Sequence, residues 1–424
     1  MNIQIAYGKR GLTIDVPAAN LVKVMEQAGA PPLRDPLGEI ERQLRKPIDS
    51  SPLAELAHRA TSACVVISDI TRPVPNTVLL PPILAALKEG GIPVEKTEIL
   101  IATGLHRPST PAEKTTLVGE SILHTYQVKD HRARVPEEQR YLGTTPRRTP
   151  VYIDASYCSA DLKITTGFIE PHLMAGYSGG RKLVAPGCAG VETIKALHSP
   201  LFLEDPKCCE GSVDGNPLHD ELLRITELAG HDFIVNVSLD AARAVTGVFA
   251  GHPVNAHAAG IRHVRNAVRC DLQKPVDIVV TTSAGYPLDL TYYQAVKGMT
   301  AALPILREGG TLILAAECAE GLGGKEFSDM ATHFATANEF IEAILRSPVV
   351  IDQWQLEESA KAARKVHVVL VADGIPETQT KKLFIDSASS LEGALRDALS
   401  RHGRNASVAV IPSGPYTLVG LGAE

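Results

Sequence analysis

The sequence predicts an α/β protein of two domains, each with a mostly parallel sheet flanked by helices. Apolar runs of strand length alternate with segments of helical spacing, as in ACVVISDI (63–70) and TEILIATG (97–104), and a polar loop and a helix follow each run. The alternation restarts near residue 271, and 424 residues are too many for one ordinary core. We therefore predict a first domain over 1–270 and a second over 271–424, with an active site in the cleft between them.

The remaining elements of the first domain follow from periodicity and turn residues. The N-terminal MNIQIAYGKRGLTIDVP is typical of a β-hairpin and does not resemble a signal peptide. DPLGEIERQLRKP has helical spacing, and SPLAELAHRA begins a helix with a serine cap. The other predicted elements are a surface hairpin over 125–150, a strand over 160–168, a loop and helix over 201–226, a hairpin over 233–251 and a helix over 252–268.

The second domain is predicted to contain four strands with helices between them. The helix after the first strand covers LTYYQAVKGMTAALPILREGG. The strands, some with the loop that follows them, are predicted over 275–287, 311–324, 365–374 and 406–414.

Composition excludes several classes of protein. Apolar residues make up 44% and charged residues 21%, as in soluble globular proteins. A net charge of -6 without a basic cluster argues against nucleic acid or an anionic membrane as a partner, and no apolar run approaches the roughly 20 residues that span a bilayer. Seven cysteines without framework spacing predict a reducing, cytoplasmic location. Cys208 and Cys209 could bind a metal, but they have no C-x-x-C partner, and a structural role is the favoured interpretation.

Residues 167–200, the glycine-rich stretch, are the strongest candidate for a ligand-binding segment. Six glycines and three prolines interrupt it, which predicts a loop that brings backbone close to a ligand rather than one that fills a core. It carries His172, Lys182 and His198, whose side chains suit proton transfer, covalent attachment and metal ligation.

Two motif matches within this stretch fail on context. GYSGG has the spacing of a nucleophile elbow, but the strand ends near Phe168 and a Pro-Gly pair soon follows. GGRK is not a P-loop, because Leu follows Lys182. What remains is a glycine-lined backbone, including Gly179 and Gly180, whose amides could bind an anion, beside a lysine that could neutralise a phosphate or form a covalent bond. His198 at the end of VETIKALHSP is either a helix-end histidine or a single metal ligand from the protein.

Polar side chains follow the two buried strands of the first domain. Asp69 and Arg72 lie in SDITRP after one strand, where they either pair locally or bind a ligand. His106 lies in ATGLHRP after the next strand. A single loop histidine is commonly structural, but polar loops after consecutive parallel strands favour a shared site.

In the second domain, Tyr293, Gln294 and Lys297 lie in DLTYYQAVKG. Gln294 and Lys297 are three residues apart and share one face near the start of the helix. They are either a solvated face or a carboxylate-binding pair that the helix dipole assists.

Taken together, SDITRP, ATGLHRP, GFIEPHLMAGYSGGRK, HSP and YYQAVKG resemble the lactate racemase family, in that order and over nearly the full length. The resemblance implies a racemase or epimerase of a 2-hydroxy acid that uses a nickel-pincer nucleotide (nickel pyridinium-3,5-bisthiocarboxylate mononucleotide). It implies that Lys182 is attached to this cofactor through a thioamide and that His198 completes the nickel coordination. It further implies that His106 and His172 form the acid/base pair. Cofactor-binding residues would be Asp69, Ile70, Thr71, Arg72, Gly179 and Gly180, and substrate-binding residues would be Arg72, Tyr293, Gln294 and Lys297.

The implied chemistry suits these residue types. Removal of hydride from a 2-hydroxy acid gives a planar 2-oxo acid that can be reduced again from either face, and two histidines can each take the hydroxyl proton of one enantiomer. The first domain would then bind the cofactor and carry out catalysis, the second would close over the substrate, and other enzymes would supply the cofactor. The competing hypotheses are a nicotinamide-dependent 2-hydroxy acid dehydrogenase, for which no G-x-G-x-x-G follows a strand, and a non-catalytic cofactor-binding protein.

Overall fold

The computed structural model describes residues 1–422 and confirms the predicted α/β class. The strands are β1 (Asn2–Ile5), β2 (Leu12–Asp15), β3 (Leu21–Val24), β4 (Ala63–Ser68), β5 (Thr97–Ala102), β6 (Gln127–Asp130), β7 (Gln139–Thr144), β8 (Pro150–Asp154), β9 (Leu162–Phe168), β10 (Pro171–His172), β11 (Gly176–Tyr177), β12 (Phe233–Leu239), β13 (Val245–Gly251), β14 (Arg269–Leu272), β15 (Val276–Thr282), β16 (Leu306–Ala315), β17 (His367–Val371), β18 (Asp386–Ser387), β19 (Val408–Ile411) and β20 (Leu418–Leu421).

Helices connect most of these strands. They are α1 (Pro36–Arg45), α2 (Leu53–Ala57), α3 (Asn76–Glu89), α4 (Pro111–Val118), α5 (Glu120–Thr125), α6 (Ala155–Ser159), α7 (Val191–Leu197), α8 (Pro200–Leu203), α9 (Pro217–Ala229), α10 (Pro253–Val268), α11 (Tyr292–Ala302), α12 (Lys325–Ala331), α13 (Ala337–Arg346), α14 (Gln353–Lys365), α15 (Glu377–Thr380) and α16 (Leu391–His402). None of the helices within residues 1–422 has the length and apolar character needed to cross a membrane.

By packing, the chain divides into two compact units. Unit A consists of Gly29–Leu197 and Ser212–Arg265, and unit B consists of Met1–Ala28, His198–Gly211 and the chain from Asn266 onward. The predicted boundary near residue 270 lies close to the junction at Asn266, while the N-terminal strands and the segment 198–211 pack within unit B. The glycine-rich stretch is therefore shared: it belongs to unit A as far as Leu197, and His198 begins a segment of unit B.

Unit A is built on a six-stranded sheet in the order β13-β12-β9-β4-β5-β6. All neighbours in it are parallel except β12 and β13, which form the predicted antiparallel hairpin. Every residue of β4 is buried, because both faces of this central strand are covered. One face packs Val65, Ile67 and Ile99 against α1, α2 and α3, which supply apolar residues such as Ile40, Leu53 and Leu80.

Unit B is built on an all-parallel six-stranded sheet in the order β18-β17-β16-β15-β19-β3. Side chains alternate along β15 between its two faces: Val279 packs on the side of α11 and α14, whereas Ile278 and Val280 pack on the side of α16. The predicted N-terminal hairpin, β1 and β2, lies on this second side with Ile3, Ile5 and Ile14 in the core.

Several local predictions are wrong. The helix predicted over LTYYQAVKGMTAALPILREGG ends at Ala302, and its last five residues belong to strand β16. Residues 125–150 do not form one surface hairpin: Gln127–Asp130 is the edge strand of the sheet in unit A, and the hairpin is formed by β7 and β8 instead. The helix predicted to start at a serine cap starts after Pro52, whose position has no side-chain cap. Finally, the glycine-rich stretch does fill a core, since residues 173–181 are all buried.

Close packing explains the glycines at the centre of that stretch. Gly180 adopts a φ of +52°, and a Cβ there would lie 3.0 Å from the ring of His257. A Cβ on Gly179 would lie 2.7 Å from the side-chain oxygen of Asn236. The backbone at Gly179 and Gly180 therefore approaches Asn236 and His257 so closely that a side chain at either glycine would not fit.

This packing predicts the effect of adding a methyl group. We expect Gly180→Ala to lower the free energy of unfolding by about 2–4 kcal/mol, because left-handed strain and overpacking against His257 add together. Gly91 is the matched control, since its φ is +91° and nothing lies within 4 Å of a Cβ there. Gly91→Ala should cost only about 1 kcal/mol of strain. Urea unfolding of both variants measures the difference, and equal losses would contradict the packing explanation.

Candidate functional site

The candidate site of unit A lies at the carboxyl edge of its sheet. β5, β4 and β9 are parallel neighbours, with Ser68 opposite Ala102 and Val66 opposite Thr165, so the loops that follow them leave the sheet at the same edge. The first loop begins with Asp69, the second carries His106, and the third is the glycine-rich stretch. The second and third loops are joined by a hydrogen bond from the Gly104 amide to the Gly187 carbonyl, at 2.9 Å.

Asp69 and His106 form a hydrogen-bonded pair across this edge. The Nδ1 atom of His106 lies 2.6 Å from Oδ2 of Asp69. Because an ionised carboxylate only accepts hydrogen bonds, Nδ1 carries the proton, and Nε2 of the neutral ring is left with a lone pair. The Asp69 side chain is 8% exposed and that of His106 is 55% exposed, so a buried carboxylate orients an accessible imidazole.

The neighbours of Asp69 keep it ionised. Burial raises its pKa, but hydrogen bonds from His106 and Thr71 and the charge of Arg72 outweigh burial, and the net pKa lies below the ordinary value. The Thr71 hydroxyl donates to Oδ1 at 2.6 Å. Ile70, in the same turn, has an exposed side chain although it is apolar.

His172 and Lys182 form a second pair within the glycine-rich stretch. Nζ of Lys182 lies 2.6 Å from Nε2 of His172. The other ring nitrogen, Nδ1, accepts hydrogen bonds from the backbone amides of Met174 and Ala175, both at 3.2 Å. A neutral imidazole with an acceptor at Nδ1 carries its proton on Nε2. His172 and His106 are thus fixed in opposite tautomers.

The turn that presents Lys182 is a 3-10 turn over Gly180–Leu183 that neighbouring side chains hold in place. Asn236 on β12 accepts a hydrogen bond from the Gly180 amide at 2.8 Å, so that amide is already paired. The side-chain NH2 of Asn236 is buried and has no hydrogen-bond partner within residues 1–422. The Ser178 hydroxyl donates to the Phe168 carbonyl at 2.9 Å and accepts from the Glu170 amide, a structural role that agrees with exclusion of the nucleophile elbow.

Arg181 stabilises this turn through hydrogen bonds to backbone carbonyls. Its guanidinium is buried and donates to the carbonyls of Ala175, at 2.7 Å, and Tyr177, at 3.2 Å. Burial lowers the pKa of Arg181 to about 9, so it remains a cation at neutral pH. The adjacent His257 is kept neutral, because burial and then the charge of Arg181 lower its pKa. Arg181 therefore fixes the loop that contains His172.

In unit B, the predicted metal ligand His198 packs against the side chain of Trp354. The ring centroids are 4.6 Å apart. The indole Nε1–H of Trp354 donates to the hydroxyl of Tyr293 at 3.1 Å, and that hydroxyl donates to Asp352 at 3.2 Å. The structure thus connects His198 with Tyr293 through one tryptophan.

Gln294 and Lys297 share one face of α11, as predicted. Nζ of Lys297 donates to Oε1 of Gln294 at 2.6 Å. One turn further, the Thr300 hydroxyl donates to Glu210 at 2.9 Å. Burial raises the pKa of Glu210 to about 8, so this carboxyl is largely protonated at neutral pH.

Sequence reasoning missed Trp354, Asp352, Arg181 and Asn236. Trp354 is the only tryptophan of the chain, which is a signal that could have singled it out. Arg181 stood next to Lys182 in GGRK, but its burial could not be read from the motif. Cys208 and Cys209 form no disulfide, and no group of three or more His, Cys, Asp or Glu placed to hold a metal ion occurs between residues 1 and 422.

An open parallel sheet whose carboxyl edge presents two oriented imidazoles and a lysine is typical of an α/β enzyme that transfers protons on a small molecule. Comparison with known proteins agrees and is more specific. The pattern of the lactate racemase N-terminal domain matches residues 7–211, and that of the lactate racemase C-terminal domain matches residues 272–419. The chain belongs to the lactate racemase family and is an isomerase of the racemase type.

Individual relatives match over the whole chain. A lactate racemase of Thermoanaerobacterium thermosaccharolyticum is 34% identical over 423 residues, which are 99% of each chain. One from Lactiplantibacillus plantarum is 35% identical over 429 residues, covering 98% of this chain and 99% of that protein. The solved lactate racemase apoprotein from T. thermosaccharolyticum has a TM-score of 0.93 at 34% identity and covers 99% of this chain and 100% of that one.

A more distant structure shows the fold alone. A Thermotoga maritima protein with a TM-score of 0.68 is 17% identical and covers 91% of this chain and 98% of that one.

The Asp69–His106 pair predicts a change in titration. In His106→Ala we expect the pKa of Asp69 to rise, because burial is then opposed only by Thr71 and Arg72. The pKa of an aspartate in the unfolded chain is about 3.9, and a carboxyl whose pKa is lower than this in the folded state stabilises the fold at pH values above 3.9. The variant, with a higher Asp69 pKa, should therefore have a smaller free energy of unfolding than the unaltered chain in that pH range. Carboxyl NMR of the aspartates measures the shift.

Asp161 serves as the control for that titration. Its pKa is lowered by hydrogen bonds from Thr61, and it should titrate identically in both proteins. An unchanged Asp69 pKa in His106→Ala would show that the pair is not formed in solution.

Proposed function

We propose that the chain interconverts the enantiomers of a 2-hydroxy acid, with lactate as the first substrate to test, by removal and return of hydride through a nickel-pincer nucleotide attached at Lys182. The observation that carries the proposal is the pair of imidazoles at the carboxyl edge of unit A, each anchored through Nδ1, one by a carboxylate and the other by backbone amides. A racemase needs two proton-transfer groups, and the reacting nitrogen of each ring is Nε2.

The residues present fit a nucleotide cofactor in four respects. Lys182 supplies a primary amine on a turn that is fixed by Asn236, and the unpaired NH2 of Asn236 offers a donor to an acceptor on a bound group. Ile70 offers an exposed apolar side chain for contact with a ring. His198 would be a single protein ligand, which suits a metal that already has sulfur and carbon donors from its cofactor. When bound, this cofactor supplies the site that accepts and returns the hydride.

The chain's own residues move the proton. His106 presents an unprotonated Nε2, which suits removal of the substrate hydroxyl proton while Asp69 stabilises the imidazolium that forms. His172 presents Nε2–H, and a neutral imidazole can donate to a carbonyl oxygen, here that of the planar 2-oxo acid. For the opposite enantiomer the two roles would be exchanged, which requires the His172 ring to carry its proton on Nδ1 and therefore to leave the backbone amides that Nδ1 contacts here.

The remaining predicted residues would hold the substrate and the cofactor. Lys297, aligned by Gln294 near the start of α11, offers a cation for the substrate carboxylate, and Arg72 beside Asp69 offers a planar fork for a carboxylate or phosphate. Tyr293 offers a hydroxyl that Trp354 and Asp352 fix in place. Thr71 shapes the turn through Asp69.

Gly179 and Gly180 would place backbone near the cofactor, although the amide of Gly180 is already paired with Asn236.

Unit B would close over the substrate. The cysteines form no disulfide, which supports the proposed cytoplasmic location, where cofactor-synthesis enzymes would supply the group.

Attachment at Lys182 is tested by intact mass. Chain purified after co-expression with cofactor-synthesis enzymes should carry a mass increment of cofactor size, and Lys182→Ala should lose it because the acylated amine is gone. Lys195→Ala is the control, since Lys195 lies in the same stretch on α7 and pairs with Glu192 at the surface. An increment that persists on Lys182→Ala would place the attachment elsewhere.

The reaction is tested with single enantiomers. Loaded protein should convert D-lactate or another 2-hydroxy acid of a broad panel to the racemic mixture, with optical rotation falling to zero. His106→Ala should slow this by about 100-fold or more, as loss of a general base does. A rise in absorbance at about 340 nm that requires added NAD would indicate a nicotinamide-dependent dehydrogenase instead. No conversion of any acid by nickel-containing protein would refute the proposal.

A further inference from the structure

The contacts of His172 fix where its proton lies. Nδ1 accepts from two backbone amides, and those N–H groups can only donate. A proton on Nδ1 would point at both of them, so the neutral ring carries its proton on Nε2. A ring with both nitrogens as acceptors would be an imidazolate, which does not exist near neutral pH.

This proton decides the state of Lys182. Nζ lies 2.6 Å from Nε2 of His172, so the two nitrogens share one hydrogen. Since Nε2–H is the donor, Nζ must be the acceptor, and only an unprotonated amine has a lone pair with which to accept. An ammonium at the same position would point its N–H groups at the Nε2–H of His172, and two donors cannot form a hydrogen bond with each other. The contact therefore describes a neutral amine, which is the nucleophilic form of lysine.

We propose that His172 has a role that precedes the racemisation: through Nε2–H it holds Lys182 as a neutral amine ready to attack an acyl-type carbon. The inference deepens the proposed function and rests on its attachment at Lys182. It makes His172 a positioning residue for loading of the chain as well as a proton-transfer group.

Acylation of Lys182 would end the first role and begin the second. When Nζ forms a bond to an acyl or thioacyl carbon, the bond from that carbon to its oxygen or sulfur leaving group breaks, and the leaving group departs with one amine proton. The nitrogen lone pair is then delocalised into the new amide-type bond and no longer accepts a hydrogen bond. The Nε2–H of His172 then becomes available to a substrate oxygen. One histidine can thus serve both events, because the first event ends the hydrogen bond from its Nε2–H to Nζ of Lys182.

The test is competitive acetylation of the full-length chain, purified without cofactor, with an N-hydroxysuccinimide ester of acetate at pH 7. In this reaction Nζ bonds to the acetyl carbon, the carbon–oxygen bond to the leaving group breaks, N-hydroxysuccinimide departs, and the amine proton passes to buffer. An ordinary lysine with a pKa of about 10.4 is neutral in only about one molecule in 2,500 at this pH. We expect Lys182 to be acetylated at least tenfold faster than Lys195, by peptide mass spectrometry.

Two variants separate the hydrogen bond from the bulk of the ring. His172→Ala removes the hydrogen-bond donor, and acetylation of Lys182 should become at least tenfold slower and approach the rate of Lys195. His172→Gln keeps an amide N–H near the position of Nε2, so fast acetylation should persist although the variant has no titratable group. Nitrogen NMR of histidine-labelled protein, assigned by loss of the His172 signal in the variants, should show the proton on Nε2.

Any of three results would overturn the inference: Lys182 reacting no faster than Lys195, His172→Ala reacting as fast as the unaltered chain, or a proton on Nδ1 of His172. These outcomes are separable from failure of the proposed function. Fast acetylation in a chain that never acquires a cofactor-sized mass would refute the cofactor attachment and leave the amine state established. A mass increment together with ordinary acetylation would refute only the role of His172.

Discussion

Parallel pairing of β5, β4 and β9 is the constraint on which the site of unit A depends. Parallel strands in register end at the same edge, so residues that are 37 positions apart in sequence, Asp69 and His106, come within hydrogen-bond distance. The chain achieves this with strands that are buried on both faces, such as β4. The candidate residues lie in loops, but the apolar sheet beneath those loops determines where they are placed.

The two histidines are not equivalent, and the difference arises from what holds each Nδ1. A carboxylate holds His106 and can stabilise a positive ring, whereas backbone amides hold His172 and favour a neutral one. A pair of imidazoles with opposite tautomers can take a proton at one position and donate a hydrogen bond at the other. Sequence composition makes the two residues look alike, and only the local backbone distinguishes them.

The sequence was a good guide where burial and periodicity agree. The strands at 63–68, 97–102 and 162–168 were predictable because apolar residues fill both faces, and the loop residues Asp69 and His106 followed from the topology. The edge strand QVKD was missed because an edge strand has few apolar residues to mark it. Two features depend on tertiary contacts that no local pattern encodes. One is the packing of residues 198–211 within unit B, and the other is the hydrogen bond between Gly180 and Asn236, which are 56 positions apart in sequence.

The contact between His198 and Trp354 has a consequence of its own. Because the chain has one tryptophan, all of its indole fluorescence originates beside this imidazole. A heavy or paramagnetic ion at His198 would lie within quenching range of that single emitter. The protein therefore contains an intrinsic optical probe beside the residue that we propose as the metal ligand, so loading of that residue would be followed in solution without a label.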